Sequence, residues 1–370
     1  MPTPTTVLVA PLRYSPTYEH PESEEAQTLA DINEQMHKIQ AKTYADGGKA
    51  IRSVHAKSHG LLVGELRIAP GLPSELAQGI FAHPGTLPVV MRLSTTPGDI
   101  LPDDVSTPRG MAIKIIGVVG ERLPGTEGDV TQDFILVNGP AFNKPDAKSF
   151  AKNLKLLAAT TDKAEGSKQV LSAALRGLEK VVEAVGGKSA TLTSLGGHPE
   201  TNPLGETYYS QVPVLFGDYF GKICVRPATP ALQALFEAPV DLKHRPDGLR
   251  DTVADFFEEQ GAEWELCVQL CTDIGEMPVE DASVVWDEKL SPYRPVARIV
   301  MGAQASWSDA RARSIDEGLA FNPWHAVAAH RPLGGVMRVR RGAYVAAQRF
   351  RAEKNQRAVS EPKAIGDIVL

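Results

Sequence analysis

The sequence predicts an α+β fold built on a closed or nearly closed antiparallel β-sheet. Two observations lead there. Short apolar stretches broken by Gly, Pro and Asp fill residues 51 to about 140 and resume after residue 208, the texture of antiparallel strands joined by turns. Between them, residues 145–186 carry apolar side chains mostly at three- and four-residue intervals, the spacing of helices. Strands, one helical block and more strands segregate the two element types instead of alternating them.

Taken in order, residues 1–50 read as a proline-rich arm followed by a helix. Leu29, Ile32, Met36 and Ile39 have helical spacing, and Asp46-Gly47-Gly48 is a helix stop. Residues 51–304 form the barrel. Its strands are expected at 61–68, 87–94, 111–116, 133–137, 208–215, 221–225, 264–271 and 295–301. The helical insertion at about 145–186 is expected to hold two helices ended by Gly186-Gly187. Residues 305–370 are a wrapping segment leading into a helix that spans Arg340 to Arg351.

Composition removes several function classes. The 370 residues carry a net charge of −6 and no basic tract, so nucleic acid is not an expected partner. No apolar run approaches the ~20 residues needed to span a bilayer, and the N-terminus has no basic n-region. Three cysteines, Cys224, Cys267 and Cys271, are too few and too odd for a disulfide framework. They point to a reducing, cytoplasmic compartment. Cys267 and Cys271 share a strand face and read as small buried hydrophobes.

The chemistry-bearing residues are scattered. Arg340, Tyr344 and Arg351 fall on roughly one helix face. A phenol with a free pKa near ~10 is a poor anion unless a guanidinium or a ferric ion stabilises it. Tyrosine is among the side chains that hold haem iron from the proximal side. Upstream, Arg52-Ser53-Val54-His55-Ala56-Lys57 places a histidine at a strand entrance, a position for an acid/base group. His59 follows four residues later, but in loop and strand rather than on a helix, so a metal pair is discounted. In Arg92-Leu93-Ser94-Thr95, alternation puts Arg92 and Ser94 on one face. There an inward arginine needs an anion and the serine is able to orient an imidazole.

This ordered set resembles the haem catalases. That family's Arg-x-Val-His-Ala-Lys, Arg-Phe-Ser-Thr and Pro-Arg-Gly-Phe-Ala-x-Lys are matched by residues 52–57, 92–95 and 108–114. Its Phe-x-Pro and proximal Arg-x-x-x-Tyr are matched by Phe321-Asn322-Pro323 and by Arg340 with Tyr344. The order holds from residue 51 to about 355. The resemblance implies a catalase-like antiparallel β-barrel with inserted helices and a C-terminal helix carrying the ligand of haem b. Tyr344 would hold the iron, with Arg340 stabilising the phenolate. His55 would shuttle the peroxide proton, oriented by Ser94, with Val54 narrowing the approach. Arg52, Arg92 and Arg351 would pair with the propionates, and Phe134 and Phe142 would line the distal pocket.

The chain departs from the family in ways that bear on activity. The distal asparagine of Gly-Asn-Asn-Thr-Pro is met by Gly128-Asp129-Val130-Thr131-Gln132, which makes Asp129 the expected distal polar residue. One residue is added between Gly60 and Gly64. The C-terminal segments of the large enzymes and a counterpart of their NADPH site are not recognised. The likeness is therefore to the small catalase-related peroxidases. The expected activity is reduction of hydrogen peroxide or organic hydroperoxides by a small organic donor, with weak catalase activity, in a homo-oligomer, most simply a dimer. The alternatives are a haem enzyme that rearranges or cleaves fatty-acid hydroperoxides, and a non-catalytic haem-binding barrel.

Overall fold

The computed structural model describes residues 9–160 and 198–370. Nine strands in those residues form one antiparallel sheet: β1 (Ser58–Ile68), β2 (Gly85–Thr95), β3 (Arg109–Ile116), β4 (Thr131–Val137), β5 (Tyr208–Tyr209), β6 (Val214–Phe216), β7 (Tyr219–Pro227), β8 (Ala262–Leu270) and β9 (Arg294–Met301). The order is β5-β4-β3-β2-β1-β9-β8-β7-β6, and a further pairing of β5 with β7 closes eight strands into a barrel. The ninth, β6, is a spur on β7. Full closure leaves those eight strands no free edge.

Alternation along the strands decides what the barrel contains. Met91, Leu93, Met111, Ile113, Phe134 and Leu136 point inward with Trp264, Leu266 and Ile299. Each such fully buried apolar side chain contributes roughly 1.5–3 kcal/mol. The intervening residues, Leu61, Val90 and Ala112 among them, face outward and are covered by the C-terminal third of the chain. The strand expected at 208–215 is instead two. Gln211 takes a left-handed φ of 63° and breaks the run, and Pro213 then has no N–H to give a ladder.

Among the described residues four long helices cover the wall: α1 (Glu25–Gly47), α2 (Ala147–Thr160), α3 (Gly248–Glu259) and α4 (Gly335–Lys354). The first ends at Gly48, whose φ of 68° makes it a left-handed cap. Ile32 and Ile39 of α1, Ala151 and Leu154 of α2, and Val339 and Ala343 of α4 form one apolar seam. At that seam α1 approaches α4 closely. A Cβ on Gly342 would lie 2.6 Å from Leu29, which explains the glycine in Arg341-Gly342-Ala343. The second helix expected for the insertion lies outside the described residues. Helix α3 is not among the expected elements, although Leu249, Val253 and Phe257 recur at four-residue intervals; its Val253 and Phe257 join the barrel core.

The N-terminal arm is pinned by charge. Glu19 accepts from Arg331 and Arg338, and Arg338 also pairs with Glu25 and Glu280. This network fixes the start of α4 against α1 and so sets the height of the residues that follow on α4.

Candidate active site

Between the outer face of the barrel wall and helices α1, α2 and α4 lies a cavity of about 1450 Å³. Small-molecule pockets commonly measure ~300–1,000 Å³, so this one has room for a large planar ligand and a second molecule. Arg52, Val54, His55, Arg92, Ser94, Phe142, Arg340, Tyr344 and Arg351 all line it. They come from the loop before β1, the end of β2, the segment before α2, and one face of α4.

His55 is held tightly on one wall. Its φ of 52° is a left-handed conformation that a side chain rarely adopts. The backbone is fixed by an N–H bond to the Thr96 carbonyl at 2.8 Å, and by Arg92, which donates to the His55 carbonyl at 2.8 Å. Ser94 Oγ lies 3.1 Å from Nδ1. The ring rests on Gly110, where a Cβ would come within 2.5 Å of it. Burial, then the nearby Arg92, Arg340 and Arg52, push the imidazole pKa down to about 3. It is therefore neutral at pH 7 and able to accept a proton.

Opposite stands Tyr344, one helical turn after Arg340. Arg340 Nη2 donates to the Tyr344 hydroxyl at 2.7 Å, and its guanidinium lies over the ring at 5.3 Å from the centroid. At the edge, Arg52, Arg92 and Arg351 converge on Asp316, which a π-helical turn (Ala312–Glu317) carries beneath them. Arg92 Nε bonds the Asp316 carboxylate, as does Ser58. Arg52 and Arg351 donate to the Asp316 carbonyl at 3.0 and 2.9 Å. Burial alone would raise the Asp316 carboxyl, but Arg92 and Arg52 outweigh it and hold it below its ordinary value. Three guanidiniums against one carboxylate leave an excess of two positive charges, and Arg52 Nε is buried without a hydrogen-bond partner. A site built this way calls for a dianion.

Two expected residues stand elsewhere. Phe134 points into the barrel, in edge contact with His330 at 6.2 Å, because the period of two gives the cavity Ile135 and Val137 instead. Asp129 sits in the turn before β4, its N–H bonded to the Thr126 carbonyl and its charge near Arg122. Since β4 runs antiparallel to β3, its start lies at the end of the barrel away from Gly110, and Asp129 does not line the cavity. The residue that does is Asn138, directly after β4. Its Oδ1 accepts from Arg109 N at 2.9 Å, and its Nδ2 donates to His198 Nε2 at 2.7 Å and to Glu206. The His198 imidazole, whose Nδ1 donates to the Pro199 carbonyl, is pushed down to about 3, chiefly by burial. The sequence signal for Asn138 is an asparagine and proline two apart at the end of a strand antiparallel to the one that enters with Pro108-Arg109-Gly110. Asp316 carries no signal, because its partners are far away in the chain. His59 makes no pair with His55. It bonds Thr95 Oγ1 at 3.1 Å inside the wall.

Away from the cavity, Asp133, His325 and Glu361 bring three possible metal ligands together. Lys114 Nζ already occupies the cation's role there, 2.8 Å from Asp133 and 2.5 Å from Glu361. The group is a buried ionic clamp that fastens Glu361 to the barrel. Among the described residues no helix is long and apolar enough to cross a membrane.

No family model matches the sequence, and no curated protein matches it either. Solved structures do resemble its fold. A fungal catalase has a TM-score of 0.62 at 16% identity, over 89% of this chain and 64% of that one. Catalase A from Saccharomyces cerevisiae has 0.59 at 16%, over 89% and 67%. A bacterial catalase has 0.56 at 15%, over 85% and 59%. The chain thus spans about 59–67% of the length of these proteins. At these identities the likeness is one of architecture: the chain has a catalase-like fold, a closed antiparallel barrel with helices packed on its wall.

Proposed function

We propose that the protein is a haem-dependent peroxidase of the small catalase-related type. It reduces hydrogen peroxide or an organic hydroperoxide with a small organic donor, and has weak catalase activity. The observation that carries this reading is the pairing across one cavity of a neutral His55 and an Arg340-bonded Tyr344, beside a dicationic excess at the rim. These donors fit haem b. Tyr344 would hold the iron, and Arg52, Arg92 and Arg351 would hold the two propionates, with Arg52 Nε, which makes no hydrogen bond, among the donors.

When bound, haem supplies a redox-active iron at which the peroxide O–O bond is cleaved. The residues of the chain do the rest. His55, fixed through Nδ1 by Ser94, takes the proton from the incoming hydroperoxide oxygen at Nε2 and returns it to the departing oxygen. Arg340 donates a hydrogen bond to the Tyr344 oxygen that would meet the iron. Val54 crowds the approach. Asn138 spends both amide hydrogens on His198 and Glu206, so His55 handles the proton alone. That arrangement favours one peroxide with an organic donor over the reaction of two peroxides.

The test is to load the protein with haem, record the ferric spectrum, and add hydrogen peroxide with and without a phenolic donor, and separately a lipid hydroperoxide. Donor oxidation outpacing oxygen release is expected. Oxygen release alone would make it a catalase, an altered lipid without donor loss would make it a hydroperoxide-rearranging enzyme, and no response would leave haem binding only. A Tyr344→Phe variant with unchanged haem occupancy and spectrum would remove Tyr344 from the ligand role.

A further inference from the structure

Three neighbouring strands place a row of oxidisable side chains at one level of the barrel wall. Tyr209 of β5 lies directly across from Cys224 of β7, and Cys224 directly across from Cys267 of β8. Residues directly opposite in an antiparallel ladder project to the same face. All three pack with Tyr293 in a cluster of their own, outside the barrel core. The Tyr209 and Tyr293 rings are 5.8 Å apart. Tyr209 also lines the cavity described above, so the row starts at the place where peroxide is consumed and ends at two thiols.

The thiols are built to couple. Directly opposed Cα atoms are ~4.5–5.5 Å apart, inside the ~4.4–6.8 Å that a disulfide requires. Cys224 and Cys267 pack together in the same small cluster. Both are free and fully buried, so peroxide in solvent does not reach them. The Cys224 thiol is raised above its usual pKa by the neighbouring Cys267 thiol and by burial. It is therefore a poor thiolate nucleophile, and direct attack on a peroxide is disfavoured.

We propose that Tyr209 relays oxidising equivalents from the cavity to the Cys224–Cys267 pair, which closes to a disulfide and serves as a built-in two-electron donor. The balance is one hydroperoxide and two thiols giving one alcohol, one water and one disulfide. The O–O bond and two S–H bonds break. One S–S bond forms, the peroxide is reduced by the two electrons from sulfur, and both thiol protons end on its oxygens. For hydrogen peroxide the products are two waters and the disulfide. Tyr209 and Tyr293 are returned to their starting state. This activity rests on the proposed peroxide chemistry of the cavity. It adds a donor that the chain itself supplies when no organic donor is present, good for one peroxide until a dithiol reductant restores the pair.

The experiment uses the full-length haem-loaded protein with one equivalent of hydrogen peroxide and no organic donor. Free thiols are titrated after denaturation and the peptides are mapped by mass. The expected result is a fall from three free thiols to one, a Cys224–Cys267 linkage, an intact Cys271, and thiol loss slowed at least about tenfold in Tyr209→Phe. Consumption of peroxide with three thiols remaining would overturn the proposal. So would a disulfide that forms equally fast in Tyr209→Phe. If no peroxide is consumed, the functional reading fails and the pair is tested with diamide. A diamide-driven Cys224–Cys267 bond then supports the disulfide site, and three surviving thiols overturn it.

Discussion

His55 Nδ1 and Ser94 Oγ are 3.1 Å apart, and this contact decides which imidazole nitrogen meets the cavity. With Nδ1 engaged and the ring resting on Gly110, Nε2 is the nitrogen left for peroxide. Loss of a positioned general base costs about 10²–10⁴-fold, so His55→Gln is expected to lower peroxide turnover by that order with haem retained. Ser94→Ala removes only the orienting bond and is expected to cost about five- to tenfold. Stopped-flow peroxide reduction measures both. Equal rates in His55→Gln and the parent would remove His55 from proton transfer.

The same site sets a pH dependence. An unburied imidazole would lose its base function as pH falls through about 6.5. Burial and the surrounding arginines move that transition down to about 3, so kcat/KM for peroxide should stay level from about pH 8 to pH 5 and fall only toward pH 3. An acid limb centred near the ordinary histidine value would show that His55 is solvated in the working enzyme.

The Asp316 carboxylate pairs with Arg52 and Arg92, and its main-chain carbonyl accepts from Arg351. Removing one partner of a buried ion pair costs on the order of 3 kcal/mol, so Asp316→Asn should destabilise the haem-free protein by about that much. A bound dianion replaces the lost negative charge. The rise in melting temperature on adding haem should therefore be larger in Asp316→Asn than in the parent. An equal rise in both would mean that the arginines do not meet the propionates.

The rest of the cavity is acidic. Glu200 and Glu237 line it, Phe236 is 64% exposed there, and burial raises the Glu206 carboxyl against the pull of Arg109. The cavity's four arginines, Arg52, Arg92, Arg340 and Arg351, are engaged with Asp316, Leu319, His55 and Tyr344. A donor entering past the glutamates meets negative potential. Cationic aromatic amines should then be oxidised with kcat/KM roughly tenfold above anionic aromatic donors of similar potential, and the gap should narrow in high salt. A preference for anionic donors would place the donor path on another side.

How much of this is legible in the sequence follows from the kind of signal. Strand period and turn chemistry are local, and they locate eight stretches of the barrel and the helix that carries Tyr344. Alternation at Arg92 and Ser94 gives the right shared face, since parity survives any error in strand ends. It gives no way to say which face is the cavity side on β4, and Phe134 is expected on the wrong one. Asp129 stands on motif likeness alone. The antiparallel register of β3 and β4 puts that turn at the far end of the barrel and brings Asn138 to the site. Asp316 is invisible because it meets Arg52 and Arg92 over more than 200 positions.

The clamp of Lys114, Asp133, His325 and Glu361 gives stability its own pH window. Burial opposes charge on His325, but its ion pairs with Asp133 and Glu361 prevail and raise it to about 9. Burial likewise opposes charge on Glu361, but Lys114 and His325 hold it at about 2. A raised histidine contributes stability that is complete below its unfolded value near 6.5 and is lost as pH rises through about 9. A depressed glutamate contributes stability that is complete above its unfolded value near 4.5 and is lost as pH falls toward 2. Both contributions are whole only between about pH 4.5 and 6.5. Urea unfolding should therefore show a loss of about 3 kcal/mol between pH 6 and pH 9.5. The His325→Gln variant, with no imidazole to deprotonate, should start lower at pH 6 and change less over the same range. A parallel fall in both proteins would place the alkaline loss in another group.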